Sequence, residues 1–230
     1  MKNIKKIIGS ILVWLLLTAP GFAAGLTPNL MNEDCNSITS WTDADSGTGD
    51  SKLNPAGQFE FGSGASTGGV ATRRKNISSP PDKVSVEISV YFDDVGTSAE
   101  PDGFRFLWGT ATWSFRALFC SDGLFVFKTA GGSTEVGTNI VTVGSGGFHV
   151  FRFQIDKSGG ESAATVEVFL DNVSQATVDC DYEIANTNGR VILNQSGITT
   201  AAQMTHINYI RIATGLGAIN DTDNPIVNIF

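Results

Sequence analysis

Two neighbouring segments alternate strictly between apolar and polar positions, and this constrains the fold more than any other feature of the chain. In residues 149–156, HVFRFQID, the side chains of Phe151, Phe153 and Ile155 share one side while Arg152 and Gln154 share the other. In residues 165–171, TVEVFLD, Val166, Val168 and Leu170 oppose Glu167 and Phe169. A period of two describes extended strands with one face on a core, and two such strands joined by a short Gly-bearing break form an antiparallel pair. The rest of the chain repeats the theme. Strands are expected at residues 58–61, 70–77, 84–92, 104–108, 113–120, 124–128, 190–195 and 207–213, with an opening strand or turn within 30–41. Val84, Val86, Ile88 and Val90 line one face of the clearest of them. The loops TDADSGTG (42–49) and GSGASTGG (62–69), and the break at Pro80-Pro81, punctuate the series. No stretch carries a helical period, so the expected class is all-β, a two-sheet antiparallel β-sandwich.

The N-terminus has the layout of a secretory signal peptide: Lys2, Lys5 and Lys6, an apolar run over residues 7–17, then Gly21, Ala23 and Ala24. The run is short for a membrane span of roughly 20 residues, which makes an uncleaved anchor the lesser alternative. The expected organisation is a signal peptide over 1–24, one sandwich over 25–217 and a C-terminal tail over 218–230. The expected location is secreted, periplasmic or cell-surface. The 15 basic and 23 acidic residues give a formal net charge of −8, and removal of the signal takes three positive charges more. That balance disfavours nucleic acid and anionic membranes as partners. Cys35, Cys120 and Cys180 are odd in number and form neither a CxxC nor a cluster with His, which argues against zinc. Pairing of Cys120 with Cys180 is one arrangement that an oxidising compartment would permit.

An aromatic-rich strand ending in Asp156, a polar break, and a strand ending in Leu170-Asp171-Asn172 together resemble the late hairpin of concanavalin A-like sandwiches, in the laminin G-like branch. The resemblance extends loosely over residues 34–217. Its other carriers are the acidic opening Asn32-Glu33-Asp34-Cys35 followed by Trp41, the central hairpins, and the closing strand HINYIRI (206–212). It implies a concanavalin A-like jelly roll that binds or cleaves carbohydrate, in a group where structural Ca²⁺ is common.

The residues carry no catalytic constellation of that group. Retaining glucanases need two carboxyls roughly 5 Å apart, supplied by an E-x-D-x-x-E spacing, and Glu87, Glu135, Glu161 and Glu167 stand alone. Jelly-roll lyases use runs such as Gln-x-His, and neither His149 nor His206 sits in one. Both read as surface or structural histidines. The carboxylates of Asp43, Asp45 and Asp50 share a loop, yet the spacing departs from an EF-hand, so a solvated acidic turn is the first reading and a structural Ca²⁺ the second.

One constellation does require a cause. A four-residue loop over 109–112 would set Trp108 opposite Trp113 and Arg105 opposite Arg116; a three-residue turn over 121–123 would then set Arg116 against Lys128. Arg105, Arg116 and Lys128 become a basic row, extended by Arg152, on the face away from Phe104, Phe106, Phe115, Phe125 and Phe127. Like charges in direct opposition destabilise a sheet unless something anionic lies between them. Glu87 or Glu167 on neighbouring strands would serve, and so would an acidic ligand held by guanidinium forks. Trp108 and Trp113 read as core, Trp41 as exposed near the acidic loop, and Tyr209 as a polar-face residue.

The expected function is therefore an exported, non-catalytic carbohydrate-binding module with a glycan or polysaccharide partner. Arg105, Arg116, Lys128, Arg152 and Tyr209 form its ligand-binding face and bias it toward acidic sugars. Two readings stand beside it: a polysaccharide-degrading enzyme on the same fold, and a structural or adhesive surface protein.

Overall fold

The computed structural model describes residues 25–47, 49–63, 69–93, 103–120, 123–130, 133–143, 147–180, 189–196 and 204–220. The expected signal peptide, most of the Gly-rich loop 62–69 and the end of the expected tail lie outside the described residues. In chain order the strands are β1 (Met31–Glu33), β2 (Thr42–Asp43), β3 (Gly49–Leu53), β4 (Phe59–Ser63), β5 (Val70–Asn76), β6 (Lys83–Asp93), β7 (Gly103–Gly109) and β8 (Ser114–Cys120). They continue as β9 (Gly123–Ala130), β10 (Ser133–Val141), β11 (His149–Asp156), β12 (Thr165–Leu170), β13 (Val173–Asp179), β14 (Arg190–Ser196) and β15 (Met204–Thr214). One 3-10 turn, Glu161–Ala163, precedes β12.

The strands form an 8-stranded sheet, ordered β13-β12-β11-β6-β15-β4-β3 with β1 beside β15, and a 7-stranded sheet, ordered β10-β9-β8-β7-β14-β5-β2. Their pairings are antiparallel throughout. The expected all-β sandwich is the fold. Alternation explains the packing: every second side chain of β6, β11 and β12 points at its counterparts on β7, β8 and β14. Aromatic rings from the two sheets meet there, Phe115 with Phe153 at 5.1 Å, Phe119 with Phe151 at 4.9 Å and Phe61 with Phe104 at 5.4 Å between centroids. Edge-to-face and tilted contacts of this kind add to the burial of each ring. Trp108 and Trp113 are fully buried in this core, and their indole N–H groups donate to Ser78 O at 3.1 Å and Cys180 O at 2.8 Å.

Trp41 departs from expectation. It is 5 % exposed, packs edge-on against Phe59, and donates to Glu33 Oε2 at 3.1 Å, because the chain after β1 folds back over the end of β4. The C-terminal segment stays attached through Asn220: Leu26 and Ile219 form a parallel bridge, and Ile219 is buried.

The central hairpins also take a register other than the expected one. Strands β7 and β8 pair Trp108 with Phe115 and Leu107 with Arg116, a slip of two residues that keeps each side chain on its expected face but removes the direct opposition of Arg105 and Arg116. Strands β8 and β9 close on Cys120 and Gly123 and pair Leu118 with Phe125. That is a slip of one, and a slip of one exchanges the faces of a strand. Leu124 and Val126 therefore enter the core, while Phe125 and Phe127 join Leu118 and Cys120 in a second buried cluster on the far side of the sheet. Gly123 (φ 131) is the residue this closure requires, since a Cβ there would lie 2.3 Å from Val141 O.

Candidate functional site

The face of the 7-stranded sheet turned away from the core collects positive charge. One row runs from Arg116 to Leu107, Ile192 and Arg74 across β8, β7, β14 and β5. A second runs through Leu118, Arg105, Asn194 and Thr72 on the same strands. Arg190 enters one step further along β14, opposite Asn76. Arg105 and Arg116 are thus diagonal neighbours, as are Arg74 and Arg190, with separations of about 7–8 Å within each pair. Leu107 and Ile192 form an apolar floor between the pairs. All of these arginines are half-buried.

Local packing holds the guanidinium groups in place. The Arg116 guanidinium lies over the Phe127 ring at 5.2 Å, a cation–π geometry. Asn194 donates to Thr72 Oγ1 at 2.9 Å and so fixes the polar row beside Arg105. The Arg74 Nε is buried and has no hydrogen-bond partner among the described residues. Planar forks on a partly apolar floor suit carboxylates or sulfates carried on rings with apolar faces.

Of the expected ligand-binding residues, Arg105 and Arg116 share this face and the others do not. Lys128 keeps the parity of Leu124 and Val126 and has Glu135 as its cross-strand partner, so the slip between β8 and β9 places it on the core side of the sheet. Arg152 and Tyr209 belong to the outer face of the 8-stranded sheet. There Glu87 lies between Arg152 on β11 and Arg211 on β15. Arg152 donates to Asn172 Oδ1 at 2.7 Å and covers the Phe169 ring at 4.2 Å. Burial lowers its pKa, and the charges of Glu87 and Glu167 oppose that shift. Tyr209 donates to Glu87 Oε1 at 3.1 Å and carries Arg211 over its ring at 3.9 Å. This is an internal ion network of alternating sign.

Arg74 and Arg190 were missed in the sequence. Arg190 adjoins the inward Val191, and Arg74 lies on the strand of the inward Ala71 and Arg73, but only the pairing of β14 with both β5 and β7 brings them onto the face that carries Arg105.

The remaining polar candidates have structural work. Asp45 accepts hydrogen bonds from Ser51 N, Ser51 Oγ and Thr72 N, fastening the acidic loop to β3 and β5. Asp43 pairs with Arg73 at 3.2 Å. His149 Nδ1 lies 2.9 Å from Asp171 Oδ2 in the turn after β12. All three cysteines are buried, and none of them is in a disulfide. The pairing of Cys120 with Cys180 is not made, because Cys120 sits in the outer cluster and Cys180 in the core.

No family model matches the chain, and no curated protein does. Solved structures do. A carbohydrate esterase from a Shiga toxin-encoding bacteriophage is 12% identical, with 83% of this chain and 100% of that one covered at a TM-score of 0.56. An endo-β-1,4-glucuronan lyase from the fungus Trichoderma reesei is 8% identical over 81% of this chain and 96% of that one, at a TM-score of 0.56. The metal-free carbohydrate recognition domain of Emp46p is 11% identical over 84% of this chain and 97% of that one, at a TM-score of 0.52. At such identities the likeness is one of fold alone, a two-sheet antiparallel β-sandwich.

Proposed function

We propose that this concanavalin A-like sandwich is an exported, non-catalytic carbohydrate-binding protein that prefers acidic polysaccharides. The observation that carries the reading is the gathering of Arg74, Arg105, Arg116 and Arg190 around Leu107 and Ile192 on one sheet face, in a protein whose net charge is −8. A uronate or sulfated sugar supplies what such a face recognises: an anion for the guanidinium forks and a ring face for the apolar floor. The carbohydrate-directed proteins that share the fold support the sugar, and one of them is a lyase for glucuronan, itself a polyuronate.

The test is retardation in native gels cast with polygalacturonate, a sulfated polysaccharide or a neutral glucan, at low and raised ionic strength, beside Arg116→Ala. Retardation by the acidic polymers that weakens with salt and with the substitution is the expected result. Absence of retardation by any acidic polymer rejects the reading. New reducing or unsaturated ends on incubation would replace binding with cleavage.

A further inference from the structure

The 8-stranded sheet carries a second row on its own outer face, across the sandwich from Arg74, Arg105, Arg116 and Arg190. His206 on β15 is directly opposite Tyr91 on β6 on one side and Glu60 on β4 on the other, and Glu60 is opposite Lys52 on β3. Phe148, just before β11, completes the row beside Tyr91. Three rings follow one another. Tyr91 and His206 stack with centroids 5.5 Å apart and planes 23° from parallel, and Phe148 approaches Tyr91 at 5.7 Å. Phe148 is 40% exposed, unusual for a phenylalanine in a protein whose other rings mostly fill cores. The Tyr91 hydroxyl makes no hydrogen bond to the described residues. Glu60 stands 3.3 Å from Lys52 and 3.4 Å from His206.

The geometry points to a second glycan site, one for neutral hexose chains, built on Phe148, Tyr91, His206, Glu60 and Lys52. The exposed ring of Phe148 offers stacking surface to the apolar face of a pyranose, with the Tyr91–His206 stack holding the row behind it, and Glu60, Lys52 and the Tyr91 hydroxyl offer an acceptor and donors to sugar hydroxyls. The row advances about 4.8 Å per strand, close to the rise per sugar of an extended β-linked chain laid across the strands. Lys52 is shared between Asp50 at 2.9 Å and Glu60 at 3.3 Å, so the row has no excess positive charge with which to select an anion. That separates it from the arginine face in both chemistry and position. A molecule with both sites bridges an acidic and a neutral polysaccharide.

The test is calorimetric titration of the purified protein with cellohexaose, laminarihexaose and mannohexaose in about 1 M salt, where the screening length falls to about 3 Å and the arginine face contributes little. At least one hexaose is expected to bind, with an affinity about ten-fold weaker in Tyr91→Ala and in Phe148→Ser. Arg116→Ala is expected to leave that affinity unchanged. Phe148→Ser changes an exposed side chain and keeps the test valid if Tyr91→Ala fails to fold. Binding of none of the three sugars, or equal binding by wild type and Phe148→Ser, overturns the second site. Retention of polygalacturonate by the same preparation shows that the arginine-face reading stands apart from that result, and its loss in Arg116→Ala alone shows the converse.

Discussion

Arg105 and Arg116 are diagonal neighbours across β7 and β8, and each is directly opposite a leucine: Arg105 faces Leu118 and Arg116 faces Leu107. This diagonal placement avoids the full cost of like charges in direct opposition, a cost of a few tenths of a kcal/mol upward. Their stability roles are accordingly small. Arg116→Ala removes the contact with Phe127 and is expected to destabilise the fold by about 0.5–1 kcal/mol in denaturant unfolding, while binding to acidic polymer falls much further in relative terms. Equal loss of stability and binding would mean that Arg116 serves packing alone.

Asp45 holds its loop through acceptor bonds to Ser51 N, Ser51 Oγ and Thr72 N. Asp45→Ala leaves these donors without their acceptor and is expected to cost about 2–3 kcal/mol in chemical denaturation. Because the carboxylate is already engaged, added Ca²⁺ is expected to leave the wild-type midpoint where it was. A rise in the midpoint with Ca²⁺ that Asp45→Ala abolishes would instead place a cation in this loop.

Asp156 gives the fold an acid-side dependence. Its carboxylate accepts from Ser158 Oγ at 2.5 Å and Ser158 N at 2.9 Å and lies 3.3 Å from Lys83, and these contacts hold its pKa below the ordinary 3.8. A lowered pKa stabilises the folded state above the unfolded-state value, and the contribution disappears as pH falls through the folded-state value. The stability difference between wild type and Asp156→Asn is therefore expected to be constant at neutral pH and to shrink below about pH 4. A difference that persists at lower pH would contradict the role assigned to these contacts.

Cys35 is fully buried, and burial pushes its thiol well above the ordinary 9.0, with the charges of Glu33 and Asp34 adding to the shift. A raised pKa stabilises the fold below the unfolded-state value and is lost as pH rises past it. Native protein at about pH 8.5 is expected to resist alkylation at Cys35. Unfolding in denaturant without reductant is expected to expose all three cysteines to the reagent. Rapid native labelling, or a missing thiol after unfolding, would contradict burial of Cys35 and the absence of a disulfide.

How much was legible in the sequence differs from strand to strand, for physical reasons. Strands β6, β11 and β12 follow from strict alternation, because one face meets the core and the other meets water or ions. Strand β9 misled, since Leu124, Phe125, Val126 and Phe127 are apolar on both faces and only the closure on Cys120 and Gly123 decides which pair enters the core. Edge strands β10 and β13 escaped notice: Val173–Asp179 is almost wholly exposed, so no burial pattern marks it. The arginine face was half legible. Arg105 and Arg116 lie on strands adjacent in sequence, whereas Arg74 and Arg190 depend on the long-range pairing of β5 with β14, which no local signal encodes. Arg152 was assigned to the wrong sheet for the same reason.

The acidic-glycan site is tested by polygalacturonate affinity in wild type, Arg74→Ala/Arg190→Ala, and Lys128→Ala/Arg152→Ala at low ionic strength. At least about a ten-fold loss, or about 1.4 kcal/mol, is expected in the first double variant and little change in the second, although both remove the same charge. Equal losses in the two would mean that net charge governs the interaction, and binding unaffected by either would contradict an acidic-glycan site on this face.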